Sequence, residues 1–131
     1  MGALMSKYVL DASALLTVLN EEPGKERVEA ILSQAVVSTV SVAETIGKLL
    51  DAGMTEQDSK TSLELLNLEV VDFDLEMART AGALKSTTKA LGLSLGDRCC
   101  LALGLARNQG VVTADRSWSK LKLAIDVEVL R

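Results

Sequence analysis

The chain contains no histidine. That absence removes Ser-His-Asp and Cys-His catalysis, imidazole general bases and histidine zinc sites, leaving carboxylates, hydroxyls, amines or a bound metal to do any chemistry. Aromatic residues make up only 2% of the chain, one each of Tyr8, Phe73 and Trp118. The core must therefore be built from Leu, Val and Ala, whose burial contributes roughly 25 cal/mol per Å² of apolar surface. Cysteine occurs twice, as the adjacent pair Cys99 and Cys100. Neighbours inside a predicted helix cannot bridge without distorting it, and two thiols make no disulfide framework, so a reducing cytoplasm is the expected compartment. No apolar run approaches the roughly 18 residues of a membrane span, and no signal peptide is visible. The start, Met1-Gly2-Ala3-Leu4-Met5-Ser6, matches a myristoylation pattern. Residues 1–6 are expected instead to be a flexible start, a vector remnant or the product of an early start codon. Positive charge is short too: the net charge is −4, so nucleic acid would have to be held by a local basic rim or by bound cations.

What is present is apolar and regularly ordered. At 131 residues and 48% apolar, the chain has enough material for one domain with one sizeable core, expected over 1–131. Tyr8-Val9-Leu10 reads as a short buried strand ending on Asp11, and Ala12-Ser13-Ala14-Leu15-Leu16 opens a helix over 12–19. Pro23 suits the start of a second helix over 24–34, on which Val28, Ile31 and Leu32 recur at helical spacing. Ala35 to Ser38 reads as a second strand. Ser41-Val42-Ala43-Glu44 has the form of a capping box opening a helix to about Asp51, with Gly53 as its stop. Thr55 starts a helix to about Asn67, Glu69 to Asp72 is a third strand, and Asp74 caps a long helix ending near Leu91 and Gly92. Ser94 begins another helix to about Asn108. Val111-Val112-Thr113 is a fourth strand, a helical turn follows through Trp118 and Leu121, and Ile125 to Leu130 reads as a closing edge strand. Strands alternating with helices predict an α/β three-layer sandwich, with a central, mostly parallel sheet of about five strands flanked by helices.

Ligands in such sheets bind outside the carboxyl ends of the strands. Four acids are expected at that edge: Asp11 and Asp115 directly after strands, Glu44 and Asp97 near the starts of helices. Four converging carboxylates repel, and helix dipoles offset only about 0.3–1 kcal/mol each. A hard divalent cation relieves that repulsion, and oxygen-only ligands select Mg²⁺ or Mn²⁺ over zinc. Acids in a first helical turn are also ordinary caps, as Asp58, Asp72 and Asp74 are read here, and Ser13 and Thr113 could simply satisfy backbone groups. Spacing alone leaves both readings open.

Val9-Leu10-Asp11-Ala12-Ser13-Ala14-Leu15-Leu16, Glu44 in a helix after the second strand, Leu95-Gly96-Asp97 and Val112-Thr113-Ala114-Asp115 resemble the successive motifs of the PIN domain. The nearest subgroup by these motifs is the VapC-type toxins of toxin–antitoxin pairs. The resemblance implies a PIN-like fold and a metal-dependent endoribonuclease. Asp11, Glu44, Asp97 and Asp115 fall on the acidic quartet, and Ser13 and Thr113 on the supporting hydroxyl positions. Asp11, Asp97 and Asp115 would contact Mg²⁺ or Mn²⁺ directly, with Glu44 coordinating directly or through water and orienting the nucleophile. The implied substrate is RNA, structured tRNA or rRNA, and the implied partners are a cognate antitoxin and a second copy in a homodimer. Arg98 and Arg116 are the only bases flanking the acids and are the candidate RNA contacts. Lys85, Lys89, Arg107, Lys120 and Lys122 form either a rim or merely a solvated surface. Trp118 is expected to pack behind the Asp115 loop. Val42, Ile46, Leu49, Leu50, Leu63 and Leu66 would serve the dimer face and an antitoxin groove, or ordinary packing. A non-catalytic scaffold on the same fold is the alternative. A phosphoacceptor domain fits less well, because no acidic pair follows the first strand and no late strand ends in lysine.

Overall fold

The computed structural model describes residues 6–131. The myristoylation pattern at the start of the chain, apart from Ser6, lies outside them. Ser6 is tied down: its hydroxyl accepts a hydrogen bond from Gln109 Nε2 at 2.8 Å.

Five strands form one fully parallel sheet: β1 (Tyr8–Leu10), β2 (Ala35–Ser38), β3 (Glu69–Val71), β4 (Gly110–Thr113) and β5 (Val127–Val129), in the order β3-β2-β1-β4-β5. Six helices flank it: α1 (Ala12–Leu19), α2 (Lys25–Ile31), α3 (Thr39–Asp51), α4 (Glu56–Leu65), α5 (Leu75–Thr88) and α6 (Leu95–Arg107). This is the three-layer arrangement the sequence predicts, and alternation along the strands explains it. Val9, Val36 and Val111 point to one face and pack with Leu84, Leu101, Leu103 and Trp118. Leu10, Val37 and Val112 point to the other and pack with Ala14, Leu15, Val28 and Ile31. A strand apolar on both faces is stable only when helices cover each. Each fully buried Leu or Val contributes about 1.5–3 kcal/mol.

The caps decide where helices begin. Asp74 and Ser94 cap α5 and α6 as expected, Asp11 caps α1 and Thr55 caps α4, while Asp72, read as a cap, caps none of the described helices. Asp58 is then the residue whose backbone N–H donates to Thr55 Oγ1 at 3.1 Å, rather than the cap itself. The predicted Ser41–Glu44 capping box does not form. Ser38, at the end of β2, keeps an extended backbone and accepts from the Val40 N–H, so α3 starts at Thr39. Ser41 is carried inside the first turn and buried, and Glu44 falls in the second turn. The predicted helix 24–34 is α2 followed by a 3-10 turn, Leu32–Gln34. Strand β5 is shorter than 125–130, because Leu121, Leu123 and Ile125 pack against the core on an irregular path before it.

Gly104 lets α6 lie directly on β4: a Cβ there would stand 2.8 Å from Val111 Cγ1 and 2.9 Å from Ile125 Cδ1. Cys99 and Cys100 are buried free thiols. Tyr8 sits half-buried at the start of β1, with the Arg27 guanidinium 5.3 Å above its ring. Among the described residues no helix is long and apolar enough to cross a membrane.

Candidate active site

Parallel pairing sends the carboxyl ends of β1, β2 and β4 to one edge. Leu10 lies opposite Val112, and the Asp11 N–H extends the ladder to the Val112 carbonyl at 3.2 Å. Asp11 therefore stands beside Thr113 at the mouth of the sheet, only 5% exposed.

Three donors hold the Asp11 carboxylate. Ser13 Oγ and the Ala14 N–H donate to Oδ1 at 2.7 and 2.8 Å, and Thr113 Oγ1 donates to Oδ2 at 2.6 Å. The two hydroxyls have little choice of direction. Ser13 Oγ accepts the Ala114 N–H at 2.8 Å, and Thr113 Oγ1 accepts the Asp115 N–H at 3.1 Å. With their lone pairs engaged by those amides, both hydroxyls turn their protons to Asp11. Burial nevertheless dominates and pushes the Asp11 carboxyl up to about 6, with the nearby charge of Asp97 adding to it and the three hydrogen bonds working against it.

The other acids reach the same place by different routes. Asp97 lies in the first turn of α6, in a reciprocal box with its cap: its N–H donates to Ser94 Oγ at 3.1 Å, and its Oδ2 accepts the Ser94 N–H at 2.9 Å. Asp115 follows β4 and caps the 3-10 turn Arg116–Lys120. Its Oδ1 accepts from Ser117 N and Oγ at 2.9 and 2.8 Å. Glu44 comes from α3, which packs across α6, and its carboxylate rests on Gly96, where any Cβ would collide with it. Burial first, then the charges of Asp97 and Asp11, push the Glu44 carboxyl up, and Lys48 one turn further along α3 opposes them. Asp11, Ser13, Glu44, Asp97 and Asp115, together with Lys48, line one cleft of about 340 Å³. Behind it lies Cys100, a neutral thiol whose proton is held by burial and by the charges of Asp11, Asp97 and Glu44.

The donor set is all carboxylate and hydroxyl oxygen, the chemistry of a hard divalent cation. Burial raises both Asp11 and Glu44, and the charge of Asp97 adds to each; a bound cation would offset both costs. Among the described residues no three acids already stand at coordination distance, so closing a sphere requires side-chain movement, water ligands or phosphate oxygens.

Arg98 does not join this cleft. It is 9% exposed and donates from Nη1 to the Ala81 carbonyl of α5 at 2.9 Å. It fastens α5 to α6, because its position one residue after Asp97 turns it about 100° round the helix, away from the cleft and toward α5. Arg116 is exposed next to Asp115, with Nε on the Arg131 carbonyl at 2.9 Å. Trp118 is fully buried behind the Asp115 loop, as expected. Gly96 and Lys48 also line the cleft, and the sequence reading gave neither a role. A glycine in the first turn of a helix was the available signal for the first, and a base four residues after Glu44 for the second. A larger groove of about 490 Å³, lined by Val42, Ile46, Leu63, Leu68 and Val70, lies between α3, α4 and β3 and holds none of the four acids.

Residues 8–123 match the family model described as PIN domain. No curated protein sequence matches the chain. Among solved structures, VapBC2 from Rickettsia felis, bound to a DNA fragment from their promoter, is similar with a TM-score of 0.75 and 17% identity, over 95% of this chain and 98% of that one. DNA-bound VapBC from Salmonella typhimurium gives a TM-score of 0.75 and 22% identity, over 97% of this chain and 100% of that one. VapC20 from Mycobacterium tuberculosis, described as a sarcin-ricin loop cleaving toxin, gives 0.71 and 14%, over 86% and 92%. At these identities the likeness carries the fold.

Proposed function

The chain belongs to the PIN domain family, and from that premise we propose that it is a metal-dependent endoribonuclease, the toxin of a VapBC-type pair acting in the cytoplasm. The observation that supports this reading is the meeting of Asp11, Glu44, Asp97 and Asp115, drawn from four separate elements, on one cleft. Caps alone would have no reason to face one another.

Asp11, Asp97 and Asp115 would hold Mg²⁺ or Mn²⁺, with Glu44 completing the set directly or through water. When bound, such an ion supplies charge neutralisation at the scissile phosphate and an acidified water. The chain's own groups do the positioning. Ser13 and Thr113 fix the orientation of Asp11, so its oxygens point into the cleft without reorganising. Glu44, its carboxyl already raised by burial and neighbouring charge, is suited to orient the attacking water and accept its proton. Arg116, beside Asp115, would neutralise a neighbouring phosphate. Attack by that water on the phosphodiester leaves a 5′-phosphate.

The apolar groove beside α3 and α4, with Leu50 41% and Leu65 80% exposed, would receive an antitoxin segment and a second copy of the chain. The whole reading is tested by incubating the protein with structured tRNA and rRNA, with Mn²⁺ or with EDTA, and sequencing the fragment 5′ ends. Discrete metal-dependent cuts that vanish in Asp97→Asn are expected. No cutting, together with no Mn²⁺-induced rise in melting temperature, would overturn the proposal in favour of a non-catalytic scaffold.

A further inference from the structure

Charge is divided unevenly along this chain. From Met77 to Ile125 there are eight Lys or Arg and only two acids, Asp97 and Asp115, both of them in the cleft. Every other acid of this net −4 protein lies outside that stretch. Arg98 is buried and Arg79 and Arg107 pair with Glu76 and Glu69, which leaves Lys85, Lys89, Arg116, Lys120 and Lys122 without an ion pair among the described residues.

The fold gathers part of that excess beside the site. Two 3-10 turns, Lys89–Leu91 and Arg116–Lys120, pack against each other. The first leads through Leu93 to Ser94, on one wall of the cleft, and the second is capped by Asp115, on the other. Between them lies a groove of about 260 Å³ lined by Thr87, Leu91, Lys120, Leu121, Lys122 and Leu123. Lys89, Lys120 and Lys122 are exposed, and among the described residues none of them forms an ion pair. The leucines give the Lys120 and Lys122 stems an apolar floor while the ammonium groups stay in water, and Lys89 stands on the adjoining turn. At about 2.0 Å rise per residue, the turn from Asp115 places Lys120 some 10 Å along. A stacked strand advances about 3.4 Å per nucleotide, so that is a separation of about three nucleotides.

We infer that Lys89, Lys120 and Lys122 form a backbone grip for single-stranded RNA leaving the cleft, holding phosphates about three nucleotides from the cut. The grip rests on the nuclease reading above, but it acts without metal and is separable from it. It carries register rather than sequence choice, because ammonium groups on phosphates read no base.

The test is binding of a fluorescein-labelled 20-nucleotide single-stranded RNA of mixed sequence to the full chain in EDTA, across a salt series. The triple variant Lys89→Ala/Lys120→Ala/Lys122→Ala should bind roughly tenfold to a hundredfold more weakly at 0.1 M salt. Its log–log salt slope should be shallower by about two, the loss of three single-strand phosphate contacts at about 0.7 each. A charge-matched control, Lys7→Ala/Lys25→Ala/Lys60→Ala, should lose little. The Mn²⁺-induced rise in melting temperature should be intact in both variants, showing that fold and acids are untouched. Equal weakening in both triples would mean that net charge alone matters and overturns the grip while leaving the nuclease standing. No RNA binding or cleavage by the unsubstituted protein would overturn both.

Discussion

Replacing Asp11 with Asn should make the metal-free protein more stable at neutral pH. The Asp11 carboxyl is raised to about 6 from an ordinary 3.8, and that gap corresponds to about 3 kcal/mol. Because the folded state holds the proton more tightly than the unfolded chain does, the stability present below about pH 4 is lost as pH rises through 6. Above pH 6 the full cost remains. An amide escapes it and keeps most of the hydrogen bonds. Oδ1 still accepts from Ser13 and Ala14, and the new amine donates to Thr113 Oγ1, whose proton turns to Ser13 Oγ, 3.1 Å away. Allowing about 1 kcal/mol for the poorer fit of that exchange, Asp11→Asn should gain about 2 kcal/mol at pH 7.5, or about 7 °C in melting temperature for a domain of this size. Thermal melts in EDTA, from pH 4 to 8, read this directly, with buried Trp118 as the fluorescent reporter. At pH 4 the variant should be the less stable by about 0.5 kcal/mol, the order should cross near about pH 4.5, and the gain should grow through pH 6. Saturating Mn²⁺ should then reverse the order, adding about 2.7 kcal/mol to the unsubstituted protein at a hundred times its Kd and little to the variant. A variant less stable than its parent in EDTA at pH 7.5, by an amount independent of pH, would refute the reasoning.

Other outcomes follow from the same contacts. Gly96→Ala should displace the Glu44 carboxylate that rests on it; the protein should fold, but RNA cleavage should fall at least tenfold, read by initial rates. Thr113→Val removes the donor to Asp11 Oδ2 and the acceptor of the Asp115 N–H. It should cost about 1–3 kcal/mol in urea melts and move the Asp11 titration upward by carbon-detected NMR. Gly104→Ala pushes a methyl into Val111 and Ile125 and should destabilise by about 1–3 kcal/mol, with cleavage per folded molecule unchanged. Arg27→Ala breaks an exposed pair with Glu128 at 2.8 Å and should leave the same melts nearly unchanged, because solvent screens such pairs.

The sheet was legible in the sequence because its signals are local. Val9-Leu10, Val36-Val37 and Val111-Val112 each place apolar side chains on both faces, and Asp74 and Ser94 precede helical periodicity directly. Where two local signals compete, the tertiary setting decides. Ser41 and Glu44 satisfy the capping-box pattern, yet Ser38 leaves β2 already extended and captures the helix start three residues earlier. The inward turn of Arg98 and the seat that Gly96 makes for Glu44 depend on how α3, α5 and α6 cross, which no single segment encodes. The meeting of the acids was suggested by the order of motifs. The hydroxyl relay that orients Asp11 leaves no local signature, because it joins residues about a hundred positions apart.

That long reach also sets when the cleft comes into being. β4 inserts beside β1 at the centre of the sheet, so the partner that steadies Asp11 is made 102 residues after it. A ribosome adding about 5–20 residues per second will have exposed Asp11, Glu44 and Asp97 before Thr113 and Asp115 emerge to join them. A nascent chain short of β4 carries three acids without their clamp. Under the proposed nuclease reading, a nascent chain should cleave no RNA before β4 has paired with β1.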